Sequence, residues 1–143
     1  MSNRNSIPAG VKLIIGVNVL AIIVTCIFWL LVYLKLFHAP QLDVQLEKSA
    51  LASTFGFMIA DILYAVPCLI LSLRGLYKLD FNGFIFAQLA NILWFYSVTA
   101  VLIRDVYMTN LTPGDFVFMP FVVFSIWAAA YLWKQRNIFI PSR

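Results

Sequence analysis

The sequence predicts an all-α integral membrane protein whose four transmembrane helices form one antiparallel, up-down-up-down bundle. Its composition is 63% hydrophobic and only 11% charged, whereas soluble domains carry about 25% charged residues. Four apolar segments each reach or approach the ~20 residues that a helix needs to cross ~30 Å of hydrocarbon. The connections between them are short, which forces neighbouring helices to run antiparallel. We therefore expect a single domain over residues 1–143, with spans at about 11–36, 50–74, 81–103 and 115–134.

Two residues near the middle of the chain predict how the second and third helices are joined. Gly75 is expected to end the second helix, because glycine is common just past a helix C-terminus. Asp80 is expected to cap the third helix, because its carboxylate can accept a hydrogen bond from an N–H of the first turn. A tight turn between Gly75 and Asp80 follows from these two assignments.

The distribution of basic residues predicts the orientation in the membrane. With four spans, both termini lie on the same side as the middle connection. Seven of the ten Lys and Arg residues fall on that side, namely Arg4, Lys12, Arg74, Lys78, Lys134, Arg136 and Arg143. The positive-inside rule then places both termini in the cytoplasm, and we expect a multi-pass protein of the bacterial inner (plasma) membrane. The basic residues at the membrane edges account for the net charge of +4 without nucleic-acid binding. The expected partner is therefore the lipid bilayer, and nucleic acid is not expected.

The most informative residue is Asp61, which lies near the centre of the second apolar segment with no basic residue at its depth. An ionisable side chain there costs about 2.5–3.5 kcal/mol on insertion scales, so such residues are rare and tend to be functional. Pro67 follows within two turns and has no N–H to donate to the carbonyl of Leu63. This leaves a further hydrogen-bond acceptor near Asp61.

Three further polar residues are expected close to Asp61. A tight hairpin between the second and third helices would bring Asn91 to within about one turn of the depth of Asp61, with Tyr64 near Gln88. We therefore predict a midplane cluster of Asp61, Tyr64, Gln88 and Asn91 that binds a ligand or a proton. The alternative is a structural hydrogen bond between helices, since such bonds are common in membrane bundles and average about 0.6 kcal/mol.

A stripe of small residues runs along the second helix. Ala52, Gly56 and Ala60 are spaced by four residues, which permits close approach of another helix. Such a stripe packs more often within one chain, here against the first or third helix. A homodimer interface is the alternative.

Aromatic residues fall into two groups by depth. Those near the span ends, Trp29 among them, are expected to be interfacial anchors. Trp94, Phe95 and Tyr96 lie deeper, where they either pack in the core or line a pocket. Core packing is the more common role at that depth.

The residue types that most catalytic and metal sites need are sparse. The sole histidine, His38, lies at the outer edge of the first span, and the sequence has no Cys-x-x-Cys motif or phosphate-binding glycine loop. We therefore expect no metal, no cofactor and no catalytic residues. The expected function is non-enzymatic: the cluster around Asp61 binds a small or lipidic ligand or a partner membrane helix. The alternative is a proton- or cation-coupled transporter subunit that acts as a homo-oligomer, since four helices form a thin wall for a transport pathway.

Overall fold

The computed structural model describes residues 6–37, 45–107, 109, 111 and 113–140, and its regular elements in those ranges are helices. Four stretches are long and apolar enough to cross a membrane, which confirms the predicted all-α fold with four candidate spans. The elements, in chain order, are α1 (Ala9–Phe37), α2 (Gln45–Ala60), a π-helical turn (Asp61–Ala65), α3 (Val66–Lys78), α4 (Phe81–Tyr107), α5 (Pro113–Lys134) and a 3-10 helix (Arg136–Ile138). The second span therefore consists of α2, the π turn and α3.

Of the two residues predicted to bound the turn between α3 and α4, one has the predicted role. Asp80 caps α4, since its Oδ1 accepts a hydrogen bond from the Gly83 N–H at 2.7 Å. The prediction that Gly75 ends the second span is wrong, because α3 continues to Lys78 and the left-handed residue is Leu79, with φ 53°. The Asp80 N–H donates to the Gly75 carbonyl at 3.0 Å and so satisfies a carbonyl of the last turn.

Two hydrogen bonds between α1 and the second span show that these two spans run in opposite directions. Asn18 of α1 donates to the Ser72 hydroxyl at 3.0 Å, whereas Trp29, further along α1, reaches Asp61, which comes earlier in the second span. α3 packs closely along both α1 and α4, and α4 packs along α5. The α3–α4 pair is thus the centre of the bundle, with α1 on α3 and α5 on α4.

Side-chain burial follows the pattern of a helical bundle in lipid rather than in water. Large apolar side chains point outward, including Leu31, Ile92 and Val123, which are 61%, 63% and 66% exposed. Polar side chains occupy the interior, among them Asn18, Thr25, Ser72, Asn91 and Ser125. In hydrocarbon, polar groups are satisfied inside the bundle, whereas apolar side chains contact lipid without cost. This arrangement is typical of a multi-pass membrane protein.

The end of the bundle at the α3–α4 turn, here named the turn end, is closed by tight packing. Its core consists of Val11, Ile14, Leu76, Phe84, Ala87, Ala128, Leu132 and Phe139. The 3-10 helix after α5 leads Phe139 into this core, where it is 1% exposed. A Cβ atom at Gly75 would overlap the backbone of Gly83, so these two glycines let α3 and α4 approach closely.

The opposite end, here named the cavity end, is more open because α2 stands apart from the other helices. The π turn precedes Pro67, which lacks the N–H that an α-helix would donate to Leu63. In the wider π turn the Val66 N–H donates to the Asp61 carbonyl instead, and such insertions commonly bend helices. α3 packs closely on its neighbours, whereas α2 makes few close backbone contacts with any other helix. A cavity occupies the space beside α2.

Candidate functional site

Asp61 is the first residue of the π turn, and side chains from two other helices bind its carboxyl group. The Trp29 indole Nε1–H donates to Asp61 Oδ2 at 2.9 Å. Ser97 of α4 also makes a side-chain hydrogen bond to this group. The Asp61 carboxyl therefore links α1, the second span and α4, and it remains open on one side to the cavity.

This cavity, here named the Asp61 cavity, has a volume of about 460 Å³ and lies between α1, α2, α4 and α5. Its wall is mostly apolar and rich in aromatic rings, with contributions from Phe28, Trp29, Val32, Phe57, Trp94, Val98, Val101 and Phe118. Phe118 connects Phe28 and Trp94 at the deep end, with ring centroids 4.8 and 5.5 Å apart. These rings form the floor of the cavity on the side of the turn end.

Two further polar groups line the deep part of the cavity. Thr25 Oγ1 and the Trp94 indole Nε1 are buried atoms that have no hydrogen-bond partner in the part of the chain that the structure describes. Both residues line the Asp61 cavity. Because a buried polar group without a partner costs free energy, such groups at a cavity wall indicate a place for a polar ligand atom or a water molecule.

Charged side chains surround the mouth of the cavity, where α1 and α4 end and α5 begins. Arg104 Nε donates to Asp105 Oδ1 at 2.7 Å, and Lys35 and Asp115 complete this rim. The two carboxyl groups are buried, whereas Lys35 is exposed and Arg104 is partly exposed. The cavity therefore combines a charged mouth, an aromatic wall and a carboxyl group near its floor.

The structure places the four predicted site residues in different environments. Asp61 lines the cavity, whereas Tyr64 is 61% exposed on the outer surface. Gln88 donates to the Ala129 carbonyl on α5 at 3.1 Å. Asn91 is buried beside a second cavity of about 20 Å³, which is large enough for one water molecule. Of these four residues, Asp61 alone lines the large cavity, so the structure does not bring the predicted cluster together.

The register between α3 and α4 explains the position of Asn91. Gly75 and Gly83 face each other across the turn, and continuing that register pairs Asp61 with Ser97. Asn91 lies six residues before Ser97, about 9 Å away along α4 at 1.5 Å per residue. The expectation of similar depth for Asp61 and Asn91 is wrong because α3 runs past Gly75 before the chain turns, which shifts the pairing along α4.

Sequence reasoning missed Trp29 and Ser97 as partners of Asp61. Trp29, expected at the membrane interface, is 7% exposed and donates its indole N–H within the bundle. The spacing carries a signal for this, since Thr25 and Trp29 are four residues apart and share one face of α1. Trp94, for which core packing and a pocket-lining role were both open, lines both cavities.

The small-residue stripe lies on the outside of the second span. A Cβ atom at Gly56 would meet no other described part of the chain within 4 Å, Ala52 is exposed and Ala60 is partly exposed. The expected packing of the stripe against the first or third helix is therefore not found at Gly56. The glycines that do allow two helices to approach closely are Gly75 and Gly83.

The Asp61 cavity is suited to binding a molecule with both polar and apolar parts. It offers a carboxyl group, hydroxyl groups and an indole N–H in its deep part, and aromatic faces along its wall. A scan against protein-family models found no match for this chain, and searches of curated proteins and of solved structures found none either.

Proposed function

We propose that this chain is a multi-pass membrane protein that binds a small amphipathic or lipidic molecule in the Asp61 cavity, in a non-enzymatic role. The observation that carries this proposal is a cavity of about 460 Å³ with a carboxyl group near its floor and a mostly apolar wall. Small-molecule sites typically have volumes of ~300–1,000 Å³, apolar walls and a few convergent polar groups. An amphipathic ligand suits these features, since its apolar part contacts the rings and its polar part meets Asp61 or the mouth.

The orientation that we propose has the turn end and both termini in the cytoplasm of a bacterial cell, with the cavity end on the other side of the inner membrane. Its support is the clustering of basic residues at the turn end, namely Lys12, Arg74, Lys78, Lys134 and Arg136. The basic residues Arg4 and Arg143, assigned to the same side, lie outside the described residues. Basic residues concentrate on the cytoplasmic side of membrane proteins.

A second candidate function, a proton- or cation-coupled transporter subunit that acts as a homo-oligomer, is favoured by the asymmetry of the bundle. The cavity extends toward one end, and a tightly packed core closes the other. Alternating-access transport needs one-sided access of this kind in each of its two states. The π turn beside Pro67 supplies a point at which the second span can bend between such states.

Binding to the cavity can be tested with 4-phenyl-1-butanol as a small amphipathic probe and with the protein in lipid nanodiscs. Equilibrium dialysis measures the bound probe in excess of that taken up by empty nanodiscs. We expect saturation at about one probe per chain, since the cavity has the size of a single small-molecule site. Val98→Trp adds a ring to the cavity wall and should weaken binding at least about tenfold.

Val123→Trp is the matched control, because Val123 is 66% exposed on the outer surface of α5 and does not line the cavity. This variant should bind the probe as the unaltered protein does. Circular dichroism checks that both tryptophan variants are folded. Equal binding by the two folded variants would overturn the proposal, because the probe would then bind elsewhere or only in lipid.

A further inference from the structure

The charges around the Asp61 cavity are unevenly distributed. Three carboxyl groups line it, those of Asp61, Asp105 and Asp115, and the last two residues are 5% and 4% exposed. The two cations are Lys35, which is exposed, and Arg104, whose side chain is 35% exposed. Since water and salt screen exposed charges more than buried ones, the carboxyl groups dominate the potential inside the cavity. We therefore expect a negative potential inside the cavity, which favours a cation.

Buried acceptor atoms at the cavity wall are available to a bound donor. Asp105 Oδ1 accepts a hydrogen bond from Arg104 Nε. Asp105 Oδ2 is buried and has no hydrogen-bond partner among the described residues. Thr25 is 2% exposed, and its Oγ1 is likewise without a partner there. A ligand N–H satisfies such acceptors and removes the cost of leaving them unpaired.

Aromatic rings line the cavity onto which the Asp61 carboxyl group opens. Trp29 binds this group directly, and Phe57, Trp94 and Phe118 line the same cavity. The face of an aromatic ring attracts an organic cation, and the attraction is stronger where water is excluded. A carboxyl group among aromatic rings is therefore a better environment for an ammonium group than for a neutral hydroxyl group or a carboxylate.

We propose that the Asp61 cavity binds a lipophilic organic cation, with its ammonium nitrogen beside the Asp61 carboxyl group and its apolar body among Phe57, Trp94 and Phe118. This inference rests on the proposed function, because it names the class of molecule that the cavity binds. An ammonium group and a carboxylate neutralise each other in a membrane, where an isolated charge is costly. An anion of the same shape is repelled by the carboxyl groups, and neither charge is neutralised.

Three probes with one apolar body separate these classes: 4-phenylbutylammonium, 4-phenyl-1-butanol and 4-phenylbutanoate. Equilibrium dialysis with the protein in nanodiscs of zwitterionic lipid gives an affinity for each, after subtraction of uptake by empty nanodiscs. We expect the ammonium to bind at least about tenfold more tightly than the alcohol, since charge-assisted hydrogen bonds and ring contacts favour the cation. The carboxylate should bind most weakly.

Asp61→Asn should reduce the preference for the ammonium over the alcohol at least about threefold, because the amide keeps the shape of the carboxyl group but not its charge. Asp105 and Asp115 remain in this variant and keep a smaller preference. Asp80→Asn is the matched control. Asp80 lies at the turn end outside the cavity, and asparagine caps a helix as well as aspartate does. This variant should keep the full preference.

The outcomes distinguish the two proposals. Binding of none of the three probes would overturn the proposed function and this inference with it. Equal binding of all three, or a preference for the cation that is undiminished in Asp61→Asn, would overturn the inference alone. If Asp61→Asn does not fold, the unaltered protein can be labelled with a diazirine derivative of 4-phenylbutylammonium. Labelling should map to the cavity wall, and the ammonium should displace it at concentrations at least about tenfold lower than the alcohol needs. Labelling elsewhere, or equal displacement by the two compounds, would overturn the inference.

Discussion

The absence of a Cβ atom at Gly75 and Gly83 allows α3 and α4 to approach each other closely. A Cβ atom at either position would overlap the backbone around the other glycine. No rotamer change can relieve such an overlap, because the atoms concerned belong to the main chain. The close approach also sets the register of α3 on α4, and with it the pairing of Asp61 with Ser97.

We expect Gly75→Ala and Gly83→Ala each to lower the free energy of unfolding by about 1–3 kcal/mol, the usual cost of forcing an extra group into a packed core. Unfolding by SDS in mixed micelles, followed by circular dichroism, measures this change. Gly16→Ala is the matched control, since a Cβ atom there meets nothing within 4 Å, and it should be neutral or stabilising by up to about 1 kcal/mol. Equal stability of all three variants would contradict the close approach of α3 and α4.

The hydrogen bond from Trp29 to Asp61 is the second feature at the residue scale that can be tested. We expect Trp29→Phe and Asp61→Leu each to lower the free energy of unfolding by about 0.5–1.5 kcal/mol, because each removes one partner of a hydrogen bond inside the bundle. Asp61→Asn should change it little, since the amide oxygen can accept the same indole N–H.

A double-mutant cycle on Trp29→Phe and Asp61→Leu measures the coupling between the two side chains directly. Additive effects of the two substitutions would show that the hydrogen bond contributes nothing to stability. Retention of stability in Asp61→Asn together with a reduced preference for cations would assign Asp61 to ligand binding rather than to holding the helices together.

At the scale of the elements, the interruption of the second span creates the space for the Asp61 cavity. α3 packs closely on α1 and α4, and the chain then passes through the π turn into α2, which stands apart. Pro67 gives this interruption a local cause, because a proline cannot donate to the carbonyl four residues earlier. Pro120 also lacks an N–H, but it lies inside α5 without a π turn at that position, so a proline in a span does not by itself impose one.

We expect Pro67→Ala to bring α2 into line with α3, since the restored N–H can donate to the Leu63 carbonyl and remove the need for the π turn. Spin labels can be attached at Ser53 and Leu30, which are both exposed, after Cys26 and Cys68 are replaced by alanine. Pulsed electron paramagnetic resonance between the two labels should then show a changed distance between α2 and α1. Pro120→Ala is the control and should leave this distance unchanged. An unchanged distance in Pro67→Ala would show that the proline does not cause the separation of α2.

At the scale of the whole molecule, the proposed orientation makes a direct prediction. Reporter fusions after Arg143 and within residues 75–78 should report the cytoplasm, because most basic residues flank these positions. Fusions within residues 40–48 should report the opposite side. A reporter after Arg143 that is active outside the cytoplasm would invert the proposed orientation and place the mouth of the Asp61 cavity on the cytoplasmic side.

The outward position of Gly56 allows a test of self-association. We expect Gly56→Leu to fold with unchanged stability, because a side chain there meets no other described part of the chain. Analytical ultracentrifugation in detergent then decides between two outcomes. If the stripe is a homo-oligomer interface, the variant becomes a monomer while the unaltered protein associates. An unchanged assembly would mean that the stripe faces lipid and would remove it as the support for a homo-oligomeric transporter.

The number and approximate positions of the candidate spans, and the capping of α4 by Asp80, could be predicted from the sequence alone. These properties depend on local quantities: the length of an apolar segment relative to the thickness of the bilayer, and the reach of one side chain to a nearby N–H. The choice of Asp61 as a candidate site residue likewise needed only its position within an apolar segment, since ionisable side chains there are rare and costly.

The partners of Asp61 and the cavity beside it were decided only by the tertiary structure. Whether Asp61 meets Asn91 or Ser97 depends on how far α3 extends before the turn and on where two glycines allow the helices to touch. A shift of a few residues in that register moves a side chain by several ångströms, at 1.5 Å per residue. A tryptophan side chain is compatible with either the lipid interface or the interior of the bundle, so its sequence position alone does not decide between them. In the folded protein Trp29 lies on the inward face of α1, where it is buried and donates to Asp61.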